Sequence, residues 1–254
     1  MIVKTDEDLQ KLQKIGGIVA VTLQTMIKSV EAGMTTKELD TIGAKLLESY
    51  GATSAPMGVY NFPGYNCISI NGEIAHGIPG ERKILPGDMV NIDVSASLDG
   101  YFGDNGATVL LPPQDKVGKK LLKASREALA NSIRVAVAGR YLNRIGKATE
   151  DTADKYGFYT IRNLCGHGIG KTLHDEPEMI NNYYDPRDKR ILEKGMVLAI
   201  ETFISERENR VYQDKDDGWT LRTPRNTRAA QFEHTIIVTE GKPIILTVVP
   251  QNKL

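Results

Sequence analysis

The stretch MVNIDVSASLDGYFGDNGATVLL, residues 89–111, decides the fold. Two β-rich runs, Met89–Val94 and Ala107–Leu111, flank Asp99-Gly100, a dipeptide that tolerates positive φ and suits a tight hairpin turn. Asp93 interrupts the first run with a carboxylate among apolar neighbours, and Asp104 opens the segment leading into the second. Folding at Asp99-Gly100 brings the two acids near each other across the strands. Adjacent carboxylates repel unless something positive lies between them.

The same signature returns downstream, with Glu201 in MVLAIETFI and Glu233 in AAQFEHTIIV. An isolated buried carboxylate is too costly to keep, so each acid has to meet a cation, be protonated or bind metal. Lys or Arg at a strand end would serve any one of them. The strand interiors around all four offer no such partner, whereas one or two divalent cations satisfy them together. His167 lies in CGHGIGKTLH, where Gly166, Gly168 and Gly170 permit close backbone approach and His174 follows seven residues on. Four carboxylates and one imidazole make a hard, oxygen-rich set suited to Mn, Fe(II), Co or Zn in a two-metal hydrolytic site. His234 directly follows Glu233, so it should point to the opposite sheet face and play a structural or ligand-supporting role.

Working outward, LPGDMVNIDV (85–94) parallels LEKGMVLAIET (192–202), with Gly87 to Gly195 and Asp93 to Glu201 both 108 residues apart. The helices repeat as well. Thr5 starts an amphipathic helix that Gly33 ends, and Thr36 starts a second that Gly51 stops. Val117–Val137 reads as a third helix broken at Gly139, and Asn143–Tyr156 as a fourth closed by Gly157. Gly33 to Gly139 and Gly51 to Gly157 are both 106 residues. Further β-rich runs lie at Cys67–Ile70, Tyr159–Ile161, Met196–Ile200, Gln231–Val238 and Ile244–Val249. The expectation is an α+β protein: a single catalytic domain over 1–254, an internal pseudo-repeat of about 1–112 and 113–254, and a mainly antiparallel sheet covered by two helix pairs.

Composition narrows the function. With 32 basic and 32 acidic residues in 254, the formal net charge is zero, which argues against phosphate-backbone binding and a nucleic-acid substrate. No stretch reaches the roughly 18 apolar residues of a membrane span. The acidic start MIVKTDEDLQKLQ does not resemble a secretory signal, so a cytoplasmic location is expected. Cys67 and Cys165 are too few for a disulfide framework and read as packed thiols. CGHGIGKT nearly spells a phosphate loop, but Cys165 replaces its first glycine, and Pro177, Asn181, Asn182 and Pro186 argue against the helix that motif requires.

The motifs NFPGYNCISIN, AHGIP, VNIDVSASLDGYFGD, GHGIGKTLHDEP, GMVLAIETFIS and AQFEHTIIVT resemble type I methionine aminopeptidases, of the pita-bread fold, over nearly the whole chain. The resemblance implies a curved sheet between pseudo-two-fold halves, and Asp93, Asp104, His167, Glu201 and Glu233 as ligands of two divalent ions, with Asp104 and Glu233 touching both. It implies a metal-activated water, Glu201 as proton shuttle, His174 as donor to the scissile carbonyl, His76 at the scissile nitrogen and a substrate amine on one metal. Val59, Phe62, Cys67, Leu173 and Trp219 match the methionine pocket. The implied partners are N-termini of nascent polypeptides, with ribosome association, for a monomeric enzyme. Two positions depart from the family pattern: Asn105 stands for Thr and Thr202 for Pro, and Asn105 is expected to reach a ligand carboxylate. The alternatives are an X-Pro-cleaving aminopeptidase, from which the absence of a leading domain is expected to separate it, and a non-catalytic pita-bread binding module.

Overall fold

The computed structural model describes residues 1–250; the last four residues of the expected domain lie outside the described residues. In chain order the elements are α1 (Asp6–Ser29), α2 (Thr36–Ser49), β1 (Thr53–Ser54), α3 (Ala55–Tyr60), β2 (Cys67–Ile70), β3 (Glu73–Ala75), β4 (Met89–Leu98), β5 (Tyr101–Leu110), α4 (Lys116–Val135) and α5 (Asn143–Tyr156). They continue as β6 (Tyr159–Thr160), β7 (Cys165–Gly168), β8 (Asp175–Asn181), β9 (Val197–Ser205), β10 (Tyr212–Gln213), β11 (Leu221–Arg222), β12 (Ala229–Ile237) and β13 (Ile244–Ile245).

The β4–β5 hairpin forms where the sequence places it. Leu98 pairs with Tyr101, and Asp99 and Gly100 both take positive φ, 52° and 78°, as the two-residue turn demands. The register sets Ser95 opposite Asp104 and Asp93 opposite Gly106, so the two acids share a face diagonally and do not face each other directly. Ten strands build the main sheet, in the order β1–β4–β5–β12–β9–β7–β8, with β2 on β4, β6 on β9 and β13 on β12. All of these pairings are antiparallel. A small second sheet joins β10, β11 and β3.

Alternation along the strands separates apolar from polar faces. Val90, Ile92 and Val94 enter a core with Leu12, Ile15 and Val19 of α1 and Leu39 and Leu47 of α2. Leu198, Ile200, Ala230 and Ile236 enter a second core with Leu121, Leu129 and Ile133 of α4 and Ile145 of α5. Each fully buried Ile or Leu contributes about 1.5–3 kcal/mol. The two helix pairs therefore cover the two halves of the sheet as expected. The paired glycines adopt the same backbone in each half: φ is 83° at Gly87 and 88° at Gly195, and 98° at Gly33 and 83° at Gly139.

Several local expectations need correction. The cap of α2 is Thr35, which exchanges hydrogen bonds with Glu38; Thr36 is buried instead and bonds the backbone of Gly80. His167 lies on a strand, β7, outside the β-rich runs read from the sequence. Cys165-Gly-His-Gly168 has little β-propensity, and it pairs on both sides because its glycines let the neighbours in: a Cβ at Gly166 would strike the Ala199 carbonyl, and one at Gly168 the Glu176 carbonyl. The near phosphate loop is followed by strand β8, an edge strand that tolerates Pro177. Among the described residues no helix is long and apolar enough to cross a membrane.

Gly16, in the middle of α1, tests how tightly helix and sheet meet. Its Cβ would lie 2.6 Å from the Leu246 carbonyl oxygen, and its backbone already lies against Gly103 of β5. Helix propensity favours Gly16→Ala by up to about 1 kcal/mol, but a backbone carbonyl cannot swing aside, and overpacking costs about 1–3 kcal/mol. Denaturant unfolding should show Gly16→Ala to be net destabilised; a variant as stable as the parent would refute the close approach.

Candidate metal centre

Read across the sheet, five adjacent strands each present one chemically distinctive residue to the same cavity: Asp93 from β4, Asp104 from β5, Glu233 from β12, Glu201 from β9 and His167 from β7. Glu233 and Glu201 are directly opposed, and His167 pairs with Ala199, two residues before Glu201 and on its face. The cavity measures about 260 Å³. One ligand-type atom from each of Asp104, His167 and Glu233 lies within 4.8 Å of the others, and all three residues are buried.

No Lys or Arg among the described residues forms an ion pair with any of the four carboxylates; His167 comes near, with Nε2 3.8 Å from Asp104 Oδ2, and His174 also acts on Asp104. Burial, followed by mutual repulsion, pushes Asp93, Glu201 and Glu233 well above the usual carboxylate range. Burial also raises Asp104, against a hydrogen bond from Ser95 Oγ at 2.8 Å. Gln231 donates to Glu233 Oε2 at 2.9 Å and is itself held by Asn91 at 2.8 Å. Gly106 leaves the room for that Gln231 amide, since a Cβ there would collide with it. Thr235 clamps the Asp104 backbone, accepting from its N–H at 3.0 Å and donating to its carbonyl at 2.8 Å. Two oxygens, Asp93 Oδ1 and Glu233 Oε1, are buried with no partner.

His167 completes the set. Its Nδ1–H donates to the Gly168 carbonyl at 2.9 Å, which leaves the Nε2 lone pair facing Asp104. Burial lowers its pKa to about 4, so the ring is neutral at pH 7. Orphaned carboxylate oxygens, repelling acids and a neutral imidazole with a free lone pair are what a divalent cation needs, and hard oxygen donors with one nitrogen suit it.

His76 and His174 stand at the cavity mouth, where the surrounding protein lowers both pKa values, His174 to about 4. His76 has φ 55°, a left-handed conformation costly for a non-glycine residue. Phe62, Cys67, Leu173 and Trp219 line an apolar slot, with Phe62 meeting Trp219 edge-on at 5.3 Å. Val59 does not join them. It is 45% exposed, because Pro56 and Tyr60, four residues apart on α3, turn toward the cavity and carry Val59 away from it. Asn105 also disappoints expectation: its side chain alternates with Asp104 onto the helix-covered face, near His234 and Thr247, and only its backbone N–H reaches the Asp104 carboxylate. Thr202 faces that side too, donating to the Ser125 carbonyl at 3.2 Å. His234 bonds Thr247 through Nδ1 at 2.9 Å, behind the sheet. Sequence reasoning missed Tyr60, Gln231 and Asn91, polar residues that mark themselves only through their contacts.

A buried carboxylate cluster fitted for divalent cations, on a sheet covered by two helix pairs, defines a metallohydrolase. Residues 10–240 match the model of metallopeptidase family M24. The chain is 45% identical over 248 residues to methionine aminopeptidase 2 of Bacillus subtilis, covering 97% of this chain and 99% of that one. It superposes on the crystal structure of a methionine aminopeptidase from Thermotoga maritima with a TM-score of 0.93 at 36% identity, over 98% of this chain and all of that one. A prolidase from Pyrococcus furiosus shares the fold at a TM-score of 0.78 and 21% identity, over 98% of this chain and 66% of that one. The chain belongs to metallopeptidase family M24, in its methionine aminopeptidase branch. Divalent metal binding follows from that membership.

The carboxylates set a pH dependence. Because their pKa values are raised on folding, the metal-free protein keeps their stabilisation at low pH and loses it as pH rises from about 4 through the raised values. A bound cation replaces those protons, so its stabilising effect should grow with pH. At 100 times the dissociation constant, about 2.7 kcal/mol is expected, or a melting shift of about 5–10 °C. Melting curves with chelator and with added metal, at pH 5.5 and 7.5, check this; curves indifferent to metal would exclude the centre.

Proposed function

We propose that the chain removes the N-terminal methionine from proteins whose second residue is small. The observation that carries this reading is the position of the apolar slot of Phe62, Cys67, Leu173 and Trp219 directly beside the carboxylate cluster. A thioether side chain is flexible enough to fill such a slot. The 45% identity to a methionine aminopeptidase, against 21% to a prolidase, favours methionine release over X-Pro cleavage.

Asp93, Asp104, His167, Glu201 and Glu233 would hold two divalent cations, of Co, Mn, Fe(II) or Zn, whose Lewis acidity brings the ionisation of water toward neutral pH. Glu201 would take a proton from the attacking water and return it to the leaving amine, as a buried carboxylate beside other acids is suited to do. His174 donates a hydrogen bond to the scissile carbonyl oxygen as charge develops there. His76 contacts the scissile nitrogen. Gln231, Ser95 and His167's bond to Gly168 keep the ligand side chains oriented.

All five ligands come from one chain, so the centre is complete in a monomer. We infer one catalytic domain with halves of about 1–112 and 113–254, acting in the cytoplasm on nascent chains at the ribosome.

Protein loaded separately with Mn, Fe(II), Co or Zn should release methionine from a Met-Gly-Met peptide, and Glu201→Gln should lower kcat by about 10²–10⁴-fold. Cleavage confined to bonds before proline would establish the X-Pro reading instead. No turnover with any of the four metals, together with unchanged metal content in Asp104→Ala, would reduce the chain to a binding module.

A further inference from the structure

Tyr60 has no role in the reading above, yet its hydroxyl lies 2.6 Å from Nδ1 of His174. It ends α3, a helix of six residues held at both ends. Ser54 Oγ accepts from the Met57 N–H and donates to the Tyr65 carbonyl, while Asn61, left-handed at φ 57°, donates to the Met57 carbonyl. The phenol is thus presented from a fixed platform. Its ring lies 5.6 Å from that of His174 at 50°, and on the other side His174 meets His167 at 4.1 Å and 47°.

Two tautomers of His174 satisfy the contact to Tyr60. If Nδ1 carries the proton, Nε2 presents a lone pair to the cavity beside His167 and competes for metal. If Tyr60 donates to Nδ1, the proton sits on Nε2 and the ring offers a donor. We propose that Tyr60 is a positioning residue that holds His174 as the Nε2–H tautomer, making it a hydrogen-bond donor in the cavity and keeping it from becoming a metal ligand. This rests on the reading of His174 as the donor to the scissile carbonyl.

Tyr60→Phe removes the hydroxyl and keeps the ring against His174. On a Met-Gly-Met peptide it should lower kcat about ten-fold, the scale of lost supporting contacts, with KM changed less than two-fold. In His174→Ala it should add no further loss. Nitrogen-15 NMR of metal-free protein gives a readout independent of turnover: His174 should be Nε2-protonated in the parent and a mixture of tautomers in Tyr60→Phe. An unchanged His174 tautomer in Tyr60→Phe, or an undiminished effect of Tyr60→Phe in His174→Ala, overturns the inference. Full turnover in His174→Ala would instead overturn the carbonyl-donor role, while the tautomer measurement would still decide the Tyr60 contact.

Discussion

Four carboxylates crowd one face of a sheet, out of reach of any Lys or Arg among the described residues, and the structure is organised around that uncompensated charge. Each acid alone would be expelled or neutralised. Here they are held in place by two apolar cores on the opposite face, built from α1 and α2 over one half of the sheet and α4 and α5 over the other. Stability and chemistry are therefore assigned to different faces of the same strands. The period-2 alternation of the β-strand makes the separation possible, since the residues next to the acids point to the helix-covered face, with Ile92, Val94, Ile200 and Phe232 entering the cores.

That alternation also sorts the positions that depart from the family pattern. Asn105 and Thr202 each follow an acid by one residue and so land on the helix-covered face, where Thr202 bonds the α4 backbone at Ser125. His234 follows Glu233 and meets Thr247 behind the sheet. The contacts that orient the acids come from residues at even spacing or across the strand pair: Gln231 two residues before Glu233, and Ser95 opposite Asp104.

Much of this was legible because the informative residues are out of place in their own local context. An acid inside an apolar strand is a conflict that only something outside the strand resolves, so Asp93, Glu201 and Glu233 announce themselves, and the Asp99-Gly100 turn announces the hairpin. Long-range contacts were not legible. The strand at His167 forms because Gly166 and Gly168 admit the Ala199 and Glu176 carbonyls, and nothing in CGHG predicts who those neighbours are. The diagonal placement of Asp93 and Asp104 depends on register, and the exclusion of Val59 depends on the phase of a helix six residues long. Short elements carry too little periodicity for their buried face to be read.

Two histidines whose rings lie 4.1 Å apart need opposite chemistry, and the difference traces to one atom each. The partner of His167 Nδ1 is a carbonyl, which can only accept, so the proton must sit on Nδ1 and Nε2 keeps its lone pair. The partner of His174 Nδ1 is a hydroxyl, which can donate, so Nδ1 can stay bare and Nε2 can carry the proton. With identical side chains and pKa values both near 4, although His167 is buried and His174 exposed at the cavity rim, charge does not distinguish them. In the proposed reading, a backbone acceptor on one ring and a phenol donor on the other would turn neighbouring imidazoles into a ligand and a donor.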